Sequence, residues 1–258
     1  MTTYEEISQE AINFFQKLLG SVDPNVMRCF GSLLAELHPK TLSDEAQAEL
    51  IKEITPEEIK AAMFAIDEGK APWPDGYTAH FFKEAWSIVG RDVVEAVMYF
   101  FQTTDLSPAF NSTIVPLVPK CNNPNNMIDF RPISCCTVMY KCITKIIADR
   151  LKRFLLFIIE RNQNAFIGGR SITDNILLAQ EMVRGYGRTT LSLKCAMKIY
   201  LRKAFDSLDW DFVFDVMVSL RFSIHHINWI RKCVTTPRFS ISINGGLAGY
   251  FKGSRGIR

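Results

Sequence analysis

Residues 193–210 read LKCAMKIYLRKAFDSLDW, and their change of period places a strand directly before a helix. From 193 to 201, large apolar side chains alternate with polar or small ones, which is the period of a half-buried β-strand. Tyr200 falls on the polar face of this strand. A helical period follows at about 208–220, so the pattern predicts a strand that leads into a helix.

A second stretch, further along the sequence, is typical of a β-hairpin. Residues 239–243 alternate apolar side chains with serines, Asn244-Gly245 is a common two-residue turn, and the chain returns through 248–252. We expect the strand at 193–201 to pair with one of these two strands in a partial antiparallel sheet.

Helical periods fill most of the remaining sequence. The clearest helix begins at Thr55, where Pro56 suits the first turn, Glu58 completes a capping box, and Gly69 ends the helix. Further helices are predicted at about 3–19, 78–103, 134–159, from an N-cap at Asp174, at 208–220 and at 227–234, with a short β-rich segment at 112–118. The predicted fold class is therefore α+β, with helices dominating.

Composition excludes several classes of protein. With 258 residues, 48% of them hydrophobic, the chain can bury a sizeable core. A net charge of +3 suits a nucleic-acid partner but also suits many other enzymes. The longest apolar run, 154–159, is too short to cross a bilayer, and the first 20 residues lack the order of a signal peptide. We expect no membrane partner.

The seven cysteines and four histidines suggest no metal chemistry. The cysteine count is odd, and neither a CxxC pair nor a spaced set of histidine ligands occurs. This pattern indicates reduced thiols, an intracellular protein without a structural metal, and leaves the choice between nucleus and cytoplasm open.

Six strings of sequence, taken together, are specific. They are GKAPWPDGY, PLVPK, FRPIS, QNAFIGGRSITDN, KIYLRKAFDSLDW and SRGIR, in that order between residues 69 and 258. One such string is a weak signal, but six in order are not a coincidence. In order and spacing the chain resembles reverse transcriptases of plant LINE-type (non-LTR) retrotransposons. The resemblance implies an RNA-directed DNA polymerase that works on an RNA template, a DNA primer and deoxynucleotides.

The resemblance also implies a right-hand polymerase architecture. Residues 1–44 would be an N-terminal helical extension, and 45–190 a helix-rich, fingers-like region. Residues 191–258 would be a partial palm that stops before the hairpin that carries the Asp pair of the family.

Catalysis in this family uses two Mg²⁺ ions held by palm carboxylates. The position that matches the first metal-binding Asp is Tyr200, whose phenol has a reference pKa near ~10 and does not replace an anionic oxygen. Asp206 lies roughly 20 Å further along an extended chain and is not expected to compensate. Because the Asp pair also lies beyond this sequence, we expect an inactive copy that binds no Mg²⁺.

The resemblance assigns binding roles to four residues. Arg131 in FRPIS would meet the incoming triphosphate, a task suited to a planar guanidinium, with Lys120 as an assisting point charge. Phe205 would stack under the sugar and exclude a 2′-hydroxyl, and Arg170 would lie near the template. The alternatives are a turn-capping arginine at 131, an exposed strand-end lysine at 120 and a core aromatic at 205.

Two neighbouring loops carry further expectations. Asn175 would support the loop around Arg170, with helix capping by Asp174 and Asn175 as the alternative. Trp73 stands where the family usually has Gly, so GKAPWPDGY is expected to be strained or rearranged.

Two other functions stay open. The first is a non-enzymatic nucleic-acid-binding remnant that uses the basic side chains of the helix at 134–159, although a solvated helix face explains the same cluster. These side chains are Lys141, Lys145, Arg150, Lys152 and Arg153. The second is the product of a pseudogene that does not fold stably, because the strand at 193–201 would expose an edge.

Overall fold

The structure is a computed structural model that describes residues 3–22, 24, 26, 31–69, 75–184, 186, 195, 197–201 and 203–257. The helices are α1 Tyr4–Leu19, α2 Gly31–Leu37, α3 Asp44–Leu50, α4 Pro56–Phe64, α5 Ala79–Glu84, α6 Trp86–Thr103, α7 Val138–Ile158, α8 Ile172–Val183, α9 Ala204–Ser207, α10 Trp210–Ser219 and α11 Ile224–Thr235. The strands are β1 Ser112–Pro119, β2 Phe130–Pro132, β3 Cys135–Cys136, β4 Arg238–Ile243 and β5 Gly246–Lys252.

The strands form one mixed sheet in the order β2-β1-β4-β5, with β3 also paired to β1. β1 and β4 are parallel, and β4 and β5 form an antiparallel hairpin. At its turn, Asn244 and Gly245 both have positive φ, 49° and 84°. This is the backbone that such a two-residue turn requires, so the predicted hairpin is confirmed.

Helix α1 covers one face of this sheet. Thr3 caps the helix in a full capping box with Glu6. The buried face of α1 then packs Phe15 and Leu19 against strand residues that include Val115 and Ile241. The N-terminal helix is therefore part of the same core as the sheet.

A larger core lies among α4, α5, α6, α7 and α11. It contains Ile59 and Met63 from the helix predicted to begin after Thr55, and the Thr55 side chain accepts a hydrogen bond from the Glu58 backbone as expected. The second half of the predicted capping box is wrong, because the Glu58 carboxylate binds Arg150 instead.

Several helix boundaries differ from their predictions, and the helix predicted at 134–159 begins only at Val138, because Cys135–Cys136 pair with β1 as strand β3. The helix after Thr55 ends at Phe64 rather than Gly69, and the segment predicted as one helix at 78–103 is divided into α5 and α6. The N-cap of α8 is Ser171, whose hydroxyl accepts from the Thr173 backbone. Asp174 lies inside the first turn of that helix, where a carboxylate is favourable beside the free N–H groups.

The strand predicted at 193–201 is wrong for its described residues, since Cys195 and residues 197–201 lie in no strand. The side chains of Met197, Ile199 and Leu201 are 73–79% exposed. Of the two strands predicted to pair with it, β4 is already bonded to β1 on one edge and to β5 on the other, and no described strand pairs with the outer edge of β5. Residues 193, 194 and 196 lie outside the described part of the chain.

The sequence predicted that Arg150 lies on a solvated basic helix face, and this prediction is wrong. The residue is only 5% exposed. Its Nε and Nη2 donate to the two carboxylate oxygens of Glu58 at 2.8 and 2.6 Å. Its remaining hydrogen bonds go to the carbonyls of Leu50, Lys52 and Glu53. All five donors of the guanidinium therefore have acceptors, and the residue joins α7 to α4 and to the end of α3.

This network predicts that Arg150→Ala destabilises the fold by about 3–5 kcal/mol, because it leaves a partly buried carboxylate and three carbonyls without their donor. The matched control is Lys152→Ala, on the same helix, which removes only an exposed ion pair with Asp149 and should cost less than about 1 kcal/mol. Urea unfolding measures both. Equal losses for the two variants would contradict the structural role of Arg150.

His226 is fully buried beneath Phe222, whose ring stacks on it at 5.6 Å. Neither ring nitrogen makes a hydrogen bond of normal geometry to the described residues. Burial lowers the pKa of His226 from 6.5 to about 4, the backbone of Leu50 opposes this shift, and the charge of Arg150 adds a smaller lowering. The folded protein therefore holds this imidazole neutral.

Because the unfolded chain takes up a proton at His226 below pH 6.5 and the folded chain does not do so until about pH 4, stability should fall across that window as pH falls. The contribution amounts to about 3 kcal/mol at most. Replacing this ring in His226→Phe should reduce the slope of unfolding free energy against pH, whereas His225→Phe, at the exposed neighbour, should leave it unchanged. Identical slopes in the wild type and His226→Phe would refute the assignment.

The six cysteines among the described residues are free thiols. No helix in the described ranges is long and apolar enough to cross a membrane.

Candidate functional site

A cavity of about 260 Å³ lies between α1, the β1–β2 hairpin and the start of α9. Its charged lining residues are Lys120, Arg131, Lys203 and Asp206. They come from the strings PLVPK, FRPIS and KIYLRKAFDSLDW, so the fold brings three separate motifs to one place. Small-ligand pockets typically hold roughly 300–1,000 Å³, so this one suits the phosphate part of a nucleotide better than the whole molecule.

The β1–β2 hairpin presents the two cations predicted to bind triphosphate. Lys120 follows β1, where its backbone N–H donates to Asp129 and its ammonium donates to the carbonyl of Ile128 at 2.5 Å. Arg131 lies in β2, opposite Val118 of β1, and is exposed. Within the described residues its guanidinium makes no hydrogen bond or ion pair. Arg131 is thus the cation on this hairpin that is more available to a ligand.

Lys203, directly before α9, is the third cation of the cavity lining. It precedes α9 in the left-handed conformation, with φ 53°, and its carbonyl accepts from the N–H groups of Asp206 and Ser207. Its ammonium lies 4.8 Å from the centroid of the Phe14 ring on α1. The Asp206 carboxylate shares the lining, so the cavity carries three cations and one anion.

Phe205 does not line this cavity. Its side chain is 64% exposed and lies edge-to-face with Phe166 at 6.3 Å. The Phe205 carbonyl accepts a hydrogen bond from the backbone N–H of Ile257. Gly256, with φ 83°, approaches the same turn so closely that a Cβ at position 256 would lie 2.8 Å from the Asp206 carbonyl oxygen. The alternative of a core aromatic is wrong for Phe205, and its stacking role stays a prediction.

Arg170 is engaged by the backbone of its own region. Its guanidinium donates to four carbonyls at and just beyond the end of α7, those of Leu156, Ile159, Glu160 and Gln163. It therefore caps that helix, because a guanidinium satisfies carbonyls that lack an intrahelical donor. Template contact by Arg170 stays a prediction.

Asn175 supports the loop before α8, as predicted. Its amide donates to the Asn162 carbonyl and its oxygen accepts from Asn164.

Tyr200 is 82% exposed and lies in no helix or strand. Among the described residues, no three His, Cys, Asp or Glu side chains come together to hold a metal ion. Within those residues the side chains therefore offer no donor set that fits the two-metal centre of reverse transcriptases. Trp73 lies outside the described residues.

A larger groove of about 460 Å³ lies along α6 and the segment that follows it. It is lined by Asp92, Glu95 and Asp105 among apolar side chains. Three carboxylates repel a phosphate group, so charge distinguishes this groove from the cavity beside Arg131.

Comparison with known proteins shows the class to which this fold and site belong. Residues 118–258 match the family described as reverse transcriptase (RNA-dependent DNA polymerase). Over 254 residues, 98% of its length, the chain is 27% identical to the transposon TX1 uncharacterized 149 kDa protein of Xenopus laevis. Over 205 residues, 80% of its length, it is 21% identical to the retrovirus-related Pol polyprotein from type-2 retrotransposable element R2DM of Drosophila melanogaster.

The chain belongs to the reverse transcriptase family, and its α+β fold is the one expected for it. With these relatives, its reverse transcriptase domain is of the non-LTR retrotransposon type, which confirms the resemblance at that level. The chain spans about a fifth, 19%, of the length of each of these curated relatives.

Sequence reasoning found two of the three cations and missed Lys203 and Phe14. Lys203 stands inside a quoted motif, next to Ala204 and Phe205, which was a usable signal. The sequence around Phe14 contains no such signal, because the contact between Phe14 and Lys203 joins segments that lie far apart in the sequence.

Proposed function

We propose that the chain forms the fingers and the first part of the palm of a plant LINE-type reverse transcriptase. In this proposal the cavity beside Arg131 binds the triphosphate of an incoming deoxynucleotide. The observation that carries it is the convergence of Lys120, Arg131 and Lys203, from three motifs, on one cavity. Phosphate oxygens are best held by several charge-assisted hydrogen bonds, and a guanidinium offers two at once.

The remaining roles follow the same resemblance. Phe205, exposed at the start of α9, would contact the sugar, and Arg170 would keep the loop before α8 in place beside an RNA template. A DNA primer would share the site, and the protein would act inside the cell. The division into 1–44, 45–190 and 191–258 belongs to this proposal, although α1 of the first part shares one core with strands of the other two parts.

This copy is proposed to bind nucleotides without polymerising them. Tyr200 would stand where the family has its first metal-binding Asp, and a neutral phenol does not hold Mg²⁺. The 258 residues also contain no two consecutive aspartates.

A separate nucleic-acid-binding function for the basic side chains of α7 has little support. Arg150 is buried, and three of the other cations are paired with carboxylates. Lys145 and Lys152 pair with Asp149, and Arg153 pairs with Glu49.

Arg131→Ala should weaken binding of dTTP about tenfold or more at low salt, because it removes the unpaired guanidinium of the cavity. Isothermal titration calorimetry measures the dissociation constant. The matched control is Arg91→Ala, an exposed arginine on α6 outside the cavity, which makes the same change in net charge and should leave binding unchanged. Equal weakening by both variants would show general charge attraction and overturn the assignment of the site.

The unaltered chain should extend no primer on an RNA template in the presence of Mg²⁺, because the attacking and leaving oxygens would lack metal ions. Tyr200→Asp alone should not restore extension, since one carboxylate does not hold two ions roughly 3.5–4 Å apart. Primer extension on a gel, beside an active reverse transcriptase, tests both. Mg²⁺-dependent extension by the unaltered chain would disprove inactivity.

A further inference from the structure

We propose that the groove along α6 is a docking site for a positively charged, amphipathic segment of a partner protein, one that carries an apolar anchor side chain between lysines or arginines. The groove is separate from the nucleotide cavity, because it lies on other elements and carries the opposite charge. None of the six sequence motifs contributes a residue to its lining.

The chain reverses direction directly after α6, and this reversal forms the groove. Thr104 ends the helix in the left-handed conformation, with φ 57°, and its N–H donates to the Phe100 carbonyl at 2.7 Å. A β-branched residue adopts this backbone only where its surroundings enforce it. The Thr103 hydroxyl supports the reversal, because it accepts from the Asp105 N–H at 3.1 Å. Residues 105–110 therefore form the second wall of the groove, opposite α6.

This second wall is anchored to the rest of the protein at both ends. Asp105 forms an ion pair with Lys232 of α11 at 2.9 Å, and Leu106, which is 4% exposed, belongs to the core between the helices. Phe110 packs against the same core, and its carbonyl accepts from the Thr137 hydroxyl at 2.7 Å. The groove is thus preformed, so a partner can dock without first ordering it, which favours binding.

The groove offers apolar surface along one face of α6. Five apolar or aromatic side chains line it, those of Ala96, Tyr99, Phe100, Leu106 and Phe110. Tyr99 is 53% exposed, and Ile88, on the same helix face, is 81% exposed. From 88 to 99 this face extends roughly 16 Å, at about 1.5 Å per residue. A partner segment of about five extended residues has the same length.

Negative charge lies directly beside this apolar surface. Asp105 is paired with Lys232, but the carboxylates of Asp92 and Glu95 are exposed and make no hydrogen bond or ion pair with the described residues. No lysine or arginine is among the described residues that line the groove. Two unpaired carboxylates beside an apolar floor are complementary to a segment that presents cations beside an apolar side chain.

The same charge argues against other occupants. Carboxylates repel the phosphate groups of a nucleotide or a nucleic acid. In the described part of the chain, no three acidic side chains converge as the ligands of a metal ion would. The groove therefore suits positive charge that is spread over several side chains rather than a single ion, and a basic protein segment also supplies the apolar anchor.

Three synthetic peptides test the proposal on the unaltered 258-residue chain. In the first, one phenylalanine is flanked by two lysines on each side; the second has glycine in place of the phenylalanine, and the third has glutamates in place of the lysines. Each peptide is acetylated, amidated and fluorescently labelled, and anisotropy measures binding. The first should bind with a Kd of about 1 mM or below, and more weakly as salt rises. The second should bind about tenfold more weakly, and the third should not bind.

Variants of the groove locate the binding site. Asp92→Asn combined with Glu95→Gln should weaken binding of the first peptide roughly fivefold, because each exposed charge pair contributes modestly. Tyr99→Ala should weaken it roughly threefold, since the ring offers its face to a lysine of the peptide. The matched control is Glu84→Gln combined with Asp215→Asn, which makes the same change in net charge at exposed carboxylates outside the groove and should leave binding unchanged. Circular dichroism and thermal unfolding verify that each variant is folded.

Five results would overturn the proposal. If the first peptide does not bind at about 1 mM, the groove is no docking site. If the glycine peptide binds as tightly as the first, the surface is merely acidic, and if the glutamate peptide binds as tightly, its charge plays no part. If the control pair weakens binding as much as the groove pair, the attraction is general. If ultracentrifugation shows a dimer that the groove pair dissociates, the occupant is a second copy of the chain and not a basic partner.

Discussion

The parallel pairing of β1 with β4 is the contact on which the rest of the arrangement depends. One edge of β1 is bonded to β4 along residues 112–116, and the other edge is bonded first to β3 and then to β2. A parallel pair requires a long crossover, which here includes α7, α8, α10 and α11. β1 therefore joins the two distant parts of the chain that build the cavity.

A buried polar junction stabilises this pairing where both strands begin. The Asn111 amide donates to the Cys233 carbonyl at 3.0 Å and to the Thr236 hydroxyl at 2.7 Å, and the Asn111 carbonyl accepts from Arg238. The Tyr140 hydroxyl on α7 donates to the same Cys233 carbonyl. Because buried polar groups are costly when unpaired, these bonds favour one register of β1 against β4.

The features that sequence predicted well are those whose causes are local. Thr55 caps α4 through a backbone group three residues away, and Asn244-Gly245 turns the hairpin because both residues tolerate positive φ. The features that sequence missed have partners far along the chain. Nothing near Arg150 shows that Glu58 will bind it, and the alternation at 193–201 does not reveal that β1 and β5 occupy both edges of β4.

The cations of the candidate site divide in the same way, into two that local motifs predict and one that they do not. Lys120 and Arg131 were predictable from motifs on one hairpin, whereas Lys203 lines the cavity beside Phe14 of α1, a residue far away in the sequence. Phosphate binding needs only cations held by this framework. Two-metal catalysis also needs carboxylates, and the exposed Tyr200 plays no part in the cavity lining. Because Tyr200 is not among the residues that line the cavity, the cationic lining does not depend on which side chain stands at position 200.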